Sequence, residues 1–347
     1  MNILHITNHI GTTRNVENVF SSALLYPIIQ EKQLYTEKCN FPLYIYVTQA
    51  NDIFKEYMSK ESFIKINTLI FTDICMYARP FLQNIDDHSM NIIMYVTNRF
   101  DWGAWYNGDS NYNSLYATVS NHPRVRFIAD NRYDQYYAGE LHGIHFFHPD
   151  LVRLTPIIKP YPPSKKIHLH NGKLFVYNRG TYIRHYHYLL HGIEYDVYGY
   201  DGYARFKDEN HIAEYMGYLH LPYQTNIQSL WENLGYQIIY FIPSKLFLYT
   251  ILFEGWYHWE EKERNQKPIE MVFKSIELAE WYQPEHADLF VYFDSWDDLT
   301  VKYHFYFENN DALIEKKKKI HDYLVESNLI HLGKWANVLE SLDMNII

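Results

Sequence analysis

The feature that most constrains this chain is an alternation of short, wholly apolar runs with amphipathic segments. In the N-terminal half "NILHIT", "PLYIYV", "INTLIFTD", "NIIMYVTN" and "RVRFIAD" read as strands, and "VENVFSSALLYPIIQ", "NDIFKEYMSK", "MYARPFLQNI" and "NSLYATVSN" carry helical spacing between them. Strands that are apolar throughout are buried on both faces. The pattern therefore predicts a parallel sheet covered by helices, with ligands taken beyond the carboxyl ends of its strands. The texture breaks in "HPDLVRLTPIIKPYPPSKKIHLHNGK", where five prolines fall between Pro149 and Pro163, too many for regular structure. Beyond it "KLFVYN", "IEYDVYG", "MGYLHL", "YQIIYFIP" and "ADLFVYFDS" restart the alternation, with "TNIQSLWENL" and "PIEMVFKSIELAEWY" among the helices. The tail from "DALIEKKKKIHDYLVES" to "GKWANVLESLDM" reads as two helices. Lys316 to Lys319 point in all directions on such a helix and read as solvated. The expected layout is a first α/β domain over residues 1–155, a Pro-rich linker over 156–172, a second α/β domain over 173–310 and C-terminal helices over 311–347 that pack back toward the first domain. Two such domains imply a cleft.

Composition narrows the partners. With 347 residues, 47% of them hydrophobic, the chain can bury a large core. A net charge of -10 argues against a protein that wraps phosphate backbones, since that affinity comes from clustered Lys and Arg. Two cysteines, Cys39 and Cys75, exclude a disulfide framework and fit a reducing compartment, so the expected location is cytoplasmic. The start "MNILHITNHIGTTRN" reads as a strand and turn, not as a signal peptide. The longest apolar stretch, "QIIYFIPSKLFLYTILF", is broken by Pro243, Ser244 and Lys245, and no membrane span is expected. The 34 tyrosines are spread over every kind of segment and locate no site.

Several constellations can carry chemistry. The 19 histidines include His142, His145 and His148, the pair His168 and His170, and His185, His187 and His191. No HExxH pattern or suitably spaced carboxylate completes a ligand set, so no metal site and no cofactor are expected. The first strand runs into His9, Gly11, Thr12 and Thr13 before a helix, which is either a plain turn with an N-cap or a backbone cradle for an anion or sugar hydroxyl. Asp101, beside Arg99, Trp102 and Trp105, and Asp73 in "IFTDI" each follow a strand. Partial desolvation there would make a carboxylate more basic, and an ordinary turn or cap role fits as well. At the start of the second domain Asn178, Arg179, Gly180 and Thr181 join a strand to a helix. Arg179, with Arg184 as a second candidate, is suited to a diphosphate because guanidinium binds phosphate oxygens in pairs. Gln224, Thr225 and Asn226 are read as the start of a helix whose N–H groups favour negative charge, with Glu232 further along it.

This order of strand, Gly/Thr turn and helix, Pro-rich crossover and second domain with "PYQTNIQSLWENLGYQIIYFIPS" and "LFVYFDSWDDL" resembles nucleotide-sugar glycosyltransferases of the GT-B fold. The composition looks like that of virus-encoded or AT-rich bacterial members. The resemblance implies two Rossmann-like α/β/α domains facing a cleft. It further implies a metal-independent transfer from a nucleoside diphosphate sugar to a hydroxyl of a glycan, glycoprotein or small molecule. Donor contacts would come from Asn178, Arg179, Arg184, Tyr223, Gln224, Thr225 and Asn226, with Glu232 bonding the ribose, and Gly11 and Thr12 would form an acceptor or diphosphate loop. Many retaining members carry two glutamates eight apart ahead of a glycine-rich loop. Glu277 and Glu285 have the spacing, but Pro284 intervenes and no such loop follows. The reading is therefore inversion, with Asp101 as general base ahead of His9 and Asp73. Two alternatives remain: a sugar- or nucleotide-binding protein without chemistry, and a transferase acting on DNA bases, which the acidic charge disfavours.

Overall fold

A computed structural model describes residues 2–22, 25, 33–38, 41–42, 44–104, 107–160, 171–178, 189–199, 205, 207–254, 259 and 269–343. The chain divides into two compact units, Met1–Thr155 with Asn328–Ile347, and Pro156–Ser327.

In the first unit β1 (Asn2–Thr7), β2 (Gln33–Lys38), β3 (Thr68–Phe71), β4 (Asn91–Val96) and β5 (Val125–Ala129) form one parallel sheet in the order β2-β1-β3-β4-β5. β3 and β4 are buried at every position, as two-faced burial of a parallel sheet requires. Among the described residues its α-helices are α1 (Ile10–Ser21), α2 (Val47–Met58), α3 (Arg79–Gln83), α4 (Ser110–Val119) and α5 (Arg132–Gly139).

The second unit repeats the plan. Its strands β6 (Leu174–Asn178), β7 (Tyr195–Gly199), β8 (Gly217–Leu219), β9 (Tyr240–Pro243) and β10 (Phe290–Phe293) are all parallel, in the order β10-β9-β8-β6-β7. Its helices are α6 (Glu209–Ala213), α7 (Gln228–Gly235), α8 (Lys245–Phe253), α9 (Ile269–Glu277), α10 (Trp296–Glu308) and most of α11 (Asn310–Asp343). Gly217 permits the close approach of β8 to β9, because a Cβ there would lie 2.6 Å from the Phe241 ring and 2.9 Å from the Ile239 carbonyl. In both sheets the first strand has the second on one side and the third on the other. The strand order thus reverses at β1/β3 and again at β6/β8, the places where such sheets take ligands beyond their carboxyl ends.

Three segments differ from the sequence reading. The described residues of "PLYIYV" form no strand; the partner of β1 is the more polar "QLYTEK", in register from Asn2 against Gln33 to Thr7 against Lys38. Ile45 is instead buried with its carbonyl accepting from Arg79 Nη1 at 2.8 Å, and α2 begins at Val47. The tail is one helix of 34 residues rather than two, since nothing in it breaks the backbone and open space surrounds Gly333. Finally, Lys316 is not simply solvated: its Nζ donates to the carbonyls of Asp288 and Phe290, both at 2.8 Å, and burial lowers its pKa to about 8.

The core of the first unit combines Ile3, Ile70, Ile93, Tyr95 and Ile128 from the sheet with Val16 and Val19 of α1. Leu332, Trp335, Val338, Leu339 and Leu342 from the end of α11 complete it, and the Trp335 indole N–H donates to the Arg153 carbonyl at 3.0 Å. Among the described residues no helix is long and apolar enough to cross a membrane.

Candidate active site

Loop β1–α1 and the turn after β3 meet at the strand reversal of the first unit. His9 is the N-cap of α1, its Nδ1 accepting from the Thr12 amide at 3.3 Å. With Nδ1 accepting from the Thr12 amide, the Nε2 edge of His9 is the part of the ring left to face a ligand. Beneath it a chain of buried hydroxyls ties the two loops together. Thr72 Oγ1 donates to Thr12 Oγ1 at 3.1 Å, Thr12 Oγ1 donates to the His9 carbonyl at 2.9 Å, and Thr7 Oγ1 lies 2.9 Å from Thr12 Oγ1. Gly11 and Thr12 are both buried, and the Thr12 hydroxyl is spent inside the protein. What this loop can offer a ligand is its His9 edge and backbone, not the threonine side chain.

Asp73 sits on the turn after β3 with φ at +68°, the left-handed region that non-glycine residues occupy at a cost of order 1 kcal/mol or more. Its amide donates to Thr97 Oγ1 at 3.0 Å, which holds the turn against the end of β4. Burial raises the pKa of its carboxyl, and the nearby His9 opposes that rise. Among the described residues no side-chain hydrogen bond fixes the Asp73 carboxylate.

Asp101 follows β4 and is buried. Its Oδ2 accepts a 2.7 Å hydrogen bond from the Tyr137 hydroxyl on α5, and Oδ1 has no protein hydrogen bond among the described residues. Two residues earlier in the same loop, Arg99 Nη1 donates to Asp134 Oδ1 at 2.7 Å, with both side chains buried and the Asn131 amide on Asp134 Oδ2 at 2.6 Å. Such a pair is costly to break, because removing one partner strands a buried charge. Burial pushes the thiol pKa of Cys75 well up, and the nearby carboxyls of Asp134, Asp73 and Asp101 add to the rise.

In the second unit the reversal point lies between the end of β6 and the segment after β8. Asn178 is the last residue of β6; Arg179 and Arg184 lie outside the described residues. After β8 come the buried His220, then Tyr223, Gln224, Thr225 and Asn226. α7 starts later than the sequence suggests. Its first residue is Gln228 and its N-cap is Ile227, so Gln224 to Asn226 form the turn ahead of the helix rather than its first turn. Thr225 and Asn226 are buried there, the Thr225 carbonyl accepts from the Glu280 amide at 3.2 Å, and Gln224 Nε2 donates to the Tyr223 hydroxyl at 3.1 Å. Ile227 supplies no side-chain cap, which leaves the first N–H groups of α7 to other acceptors. Glu232 is half-buried on the second turn of α7. Glu277 and Glu285 are exposed, and Glu277 is paired with Lys274 at 3.2 Å. Among the described residues no three His, Cys, Asp or Glu side chains gather as a metal ligand set; His168, His170, His185 and His187 lie outside them.

Sequence reasoning missed Tyr137 and His220. Neither sits in a motif, and each reaches the carboxyl edge only through the packing of its own element.

No protein-family model and no curated protein matches the sequence. Among solved structures, Arabidopsis thaliana UGT89C1 complexed with UDP is similar at a TM-score of 0.52 and 10% identity, covering 97% of this chain and 99% of that one. T4 phage BGT in complex with its UDP-glucose substrate covers 99% of this chain and 100% of its own at a TM-score of 0.47 and 11% identity. Spinosyn rhamnosyltransferase SpnG complexed with thymidine diphosphate covers 94% and 96% at a TM-score of 0.42 and 6% identity. At these identities the likeness is one of fold, and of the three only the first has a TM-score above one half. Two parallel five-stranded sheets of the same strand order, matched over nearly the whole chain, give this protein the fold of the GT-B glycosyltransferases.

Proposed function

We propose that the protein is a glycosyltransferase that moves a sugar from a nucleoside diphosphate sugar, bound by the second unit, to an acceptor hydroxyl presented to the first. The observation that carries this reading is the repeated sheet reversal, with polar residues on the loops leaving the carboxyl ends at both points. For the donor, the uncapped N-terminus of α7 suits phosphate charge, Tyr223 and Gln224 precede it, and the Glu232 carboxylate can accept two ribose hydroxyls. Arg179 and Arg184 would meet the charge of the leaving diphosphate in place of a metal. A fold neighbour bound to UDP makes uridine the first nucleoside to test.

The acceptor proton goes to Asp101. A general base works best when it is held in place before the reaction, and Tyr137 fixes this carboxylate through Oδ2 while Oδ1 makes no protein hydrogen bond among the described residues. As the acceptor oxygen bonds to the anomeric carbon, the bond from that carbon to the diphosphate oxygen breaks and the proton passes to Oδ1, giving inversion. Asp73 is the second carboxylate in reach of this chemistry.

A thermal-shift panel of UDP, GDP, CMP and dTDP sugars identifies the donor by the stabilisation it confers. Turnover is then read as nucleotide release with glycan, phenolic and hydroxymethylated duplex-DNA acceptors. Asp101→Asn is expected to lower turnover by roughly 10²–10⁴-fold with the donor shift unchanged. Loss in Asp73→Asn alone would move the base to Asp73, and its burial-raised pKa would then set the acidic limb of the rate profile above the ordinary carboxylate range. Donor stabilisation without turnover on any acceptor would leave a binding protein.

A further inference from the structure

α5 carries two residues one turn apart that both act on the loop after β4. Asp134 holds Arg99 and Tyr137 holds Asp101, and residues at i and i+3 of a helix share a face. The two contacts do different things. The Arg99–Asp134 pair is reinforced by Asn131 and by the Tyr133 ring lying 5.1 Å from the guanidinium, and so anchors the loop. The Tyr137 contact instead ends on the carboxylate that the proposed reaction uses.

From this geometry we infer that Tyr137 is a positioning residue for glycosyl transfer: its hydroxyl pins Oδ2 of Asp101, so that Oδ1 is the oxygen presented to the acceptor hydroxyl. The inference rests on the reading of Asp101 as the base. Tyr137 is itself held by its surroundings, its ring packed against Phe100 at 6.1 Å and His142 at 4.8 Å, with the His142 Nδ1 3.0 Å from the Asn113 amide. The bond lies away from bulk water, both residues being 5% exposed or less, so its strength is little diluted by solvent. A phenol O–H donated to a carboxylate orients it and favours its charged form, so removing such a donor makes a carboxylate easier to protonate. Among the described residues, Cys75 from the turn after β3 and Tyr112 from α4 also lie near Asp101, both uncharged at neutral pH, and the carboxyls of Asp73 and Asp134 share the surroundings of Cys75 with it. On the loop of Asp101 itself, Arg99 is neutralised by Asp134.

The test compares the pH dependence of kcat/KM for wild type, Tyr137→Phe and Asp101→Asn, with UDP-glucose as donor and UDP release as the readout. Tyr137→Phe is expected to melt near the wild type and bind UDP-glucose equally well. The acidic limb of its profile should move up by about one pH unit, costing about tenfold in rate below the limb, with the change in kcat rather than KM. A limb that coincides with the wild type, in a protein inactivated by Asp101→Asn, overturns the inference while leaving Asp101 as base. Turnover that survives Asp101→Asn overturns the reading of Asp101, and the inference with it. If Tyr137→Phe fails to fold, 3-fluorotyrosine placed at position 137 keeps the shape and strengthens the donor. It should move the limb to lower pH, and an unmoved limb then counts against Tyr137.

Discussion

Inside β1 the His5 ring is fully buried, with Nε2 2.9 Å from the Thr72 hydroxyl and Nδ1 without a hydrogen-bond partner among the described residues. Thr72 donates onward to Thr12, so His5 Nε2 is the donor and Nδ1 is bare. Protonating Nδ1 would place a charge and an unmet N–H in the core, and burial accordingly lowers the His5 pKa from 6.5 to about 4. The unfolded chain takes this proton as pH falls through 6.5 and the folded chain only near 4. The stability that neutral His5 represents is thus complete above pH 6.5 and drains away as pH falls toward 4, by roughly 3 kcal/mol. Urea unfolding across that window should show the slope, and His5→Gln should flatten it. Residue identities alone marked His9, Asp73 and Asp101, because each follows an apolar run at a strand end. They were silent on His5, which looks like any other position in "NILHIT", and on Tyr137, one tyrosine among 34.

At the scale of elements, strand ends and caps decide what a loop can bind. α7 closes at Gly235 against the segment entering the second unit: the Lys159 amide donates to the Gly235 carbonyl at 2.8 Å, and Gln237 Nε2 donates to the carbonyls of Lys159 and Gly235, both at 3.0 Å. A Cβ at position 235 would lie 2.4 Å from the Ile157 carbonyl oxygen, a backbone atom that cannot swing aside. Gly235→Ala should therefore destabilise the second unit by about 1–3 kcal/mol, seen as a lower urea midpoint with unchanged slope. Long buried strands such as "NIIMYV" were legible from their apolar runs. β2 was not: at the sheet edge, paired among the described residues with β1 alone, it tolerates polar residues, and Tyr35 is 41% exposed. The nearby "PLYIYV" looks more like a strand, yet Tyr44 spends its hydroxyl on Asp109 at 3.0 Å and Ile45 its carbonyl on Arg79.

For the molecule as a whole, α11 is the element that belongs to both units, with residues up to Ser327 in the second and from Asn328 in the first. Its last turns bury Leu332, Trp335, Val338, Leu339 and Leu342 in the core of the first unit. At roughly 1.5–3 kcal/mol for each large apolar side chain, these five contribute as much as the about 5–15 kcal/mol that a typical domain has in total. Truncation after Ser327 should leave residues 2–155 unable to fold, read as rapid proteolysis and lost near-ultraviolet dichroism from that unit. A truncated chain whose first unit keeps wild-type protection would show that the sheet and its own helices suffice.

The sequence by itself determined the class of the protein. Most apolar runs bounded by turn residues and alternating with amphipathic helices are satisfied as buried parallel strands, and their two series, interrupted by a proline cluster, call for two sheets. It also marked the carboxyl ends of those strands as the chemical edge, since loops there are where polar residues interrupt the pattern. Tertiary structure alone decided which strands neighbour which, and so where each sheet reverses. It also decided that the Thr12 hydroxyl is spent inward, that α7 begins only at Gln228, and that Tyr137 meets Asp101 across 36 residues of chain. The physical reason is the same in each case: a repeat of two or 3.6 residues reports the local backbone, while a hydrogen bond between distant loops depends on how whole elements pack.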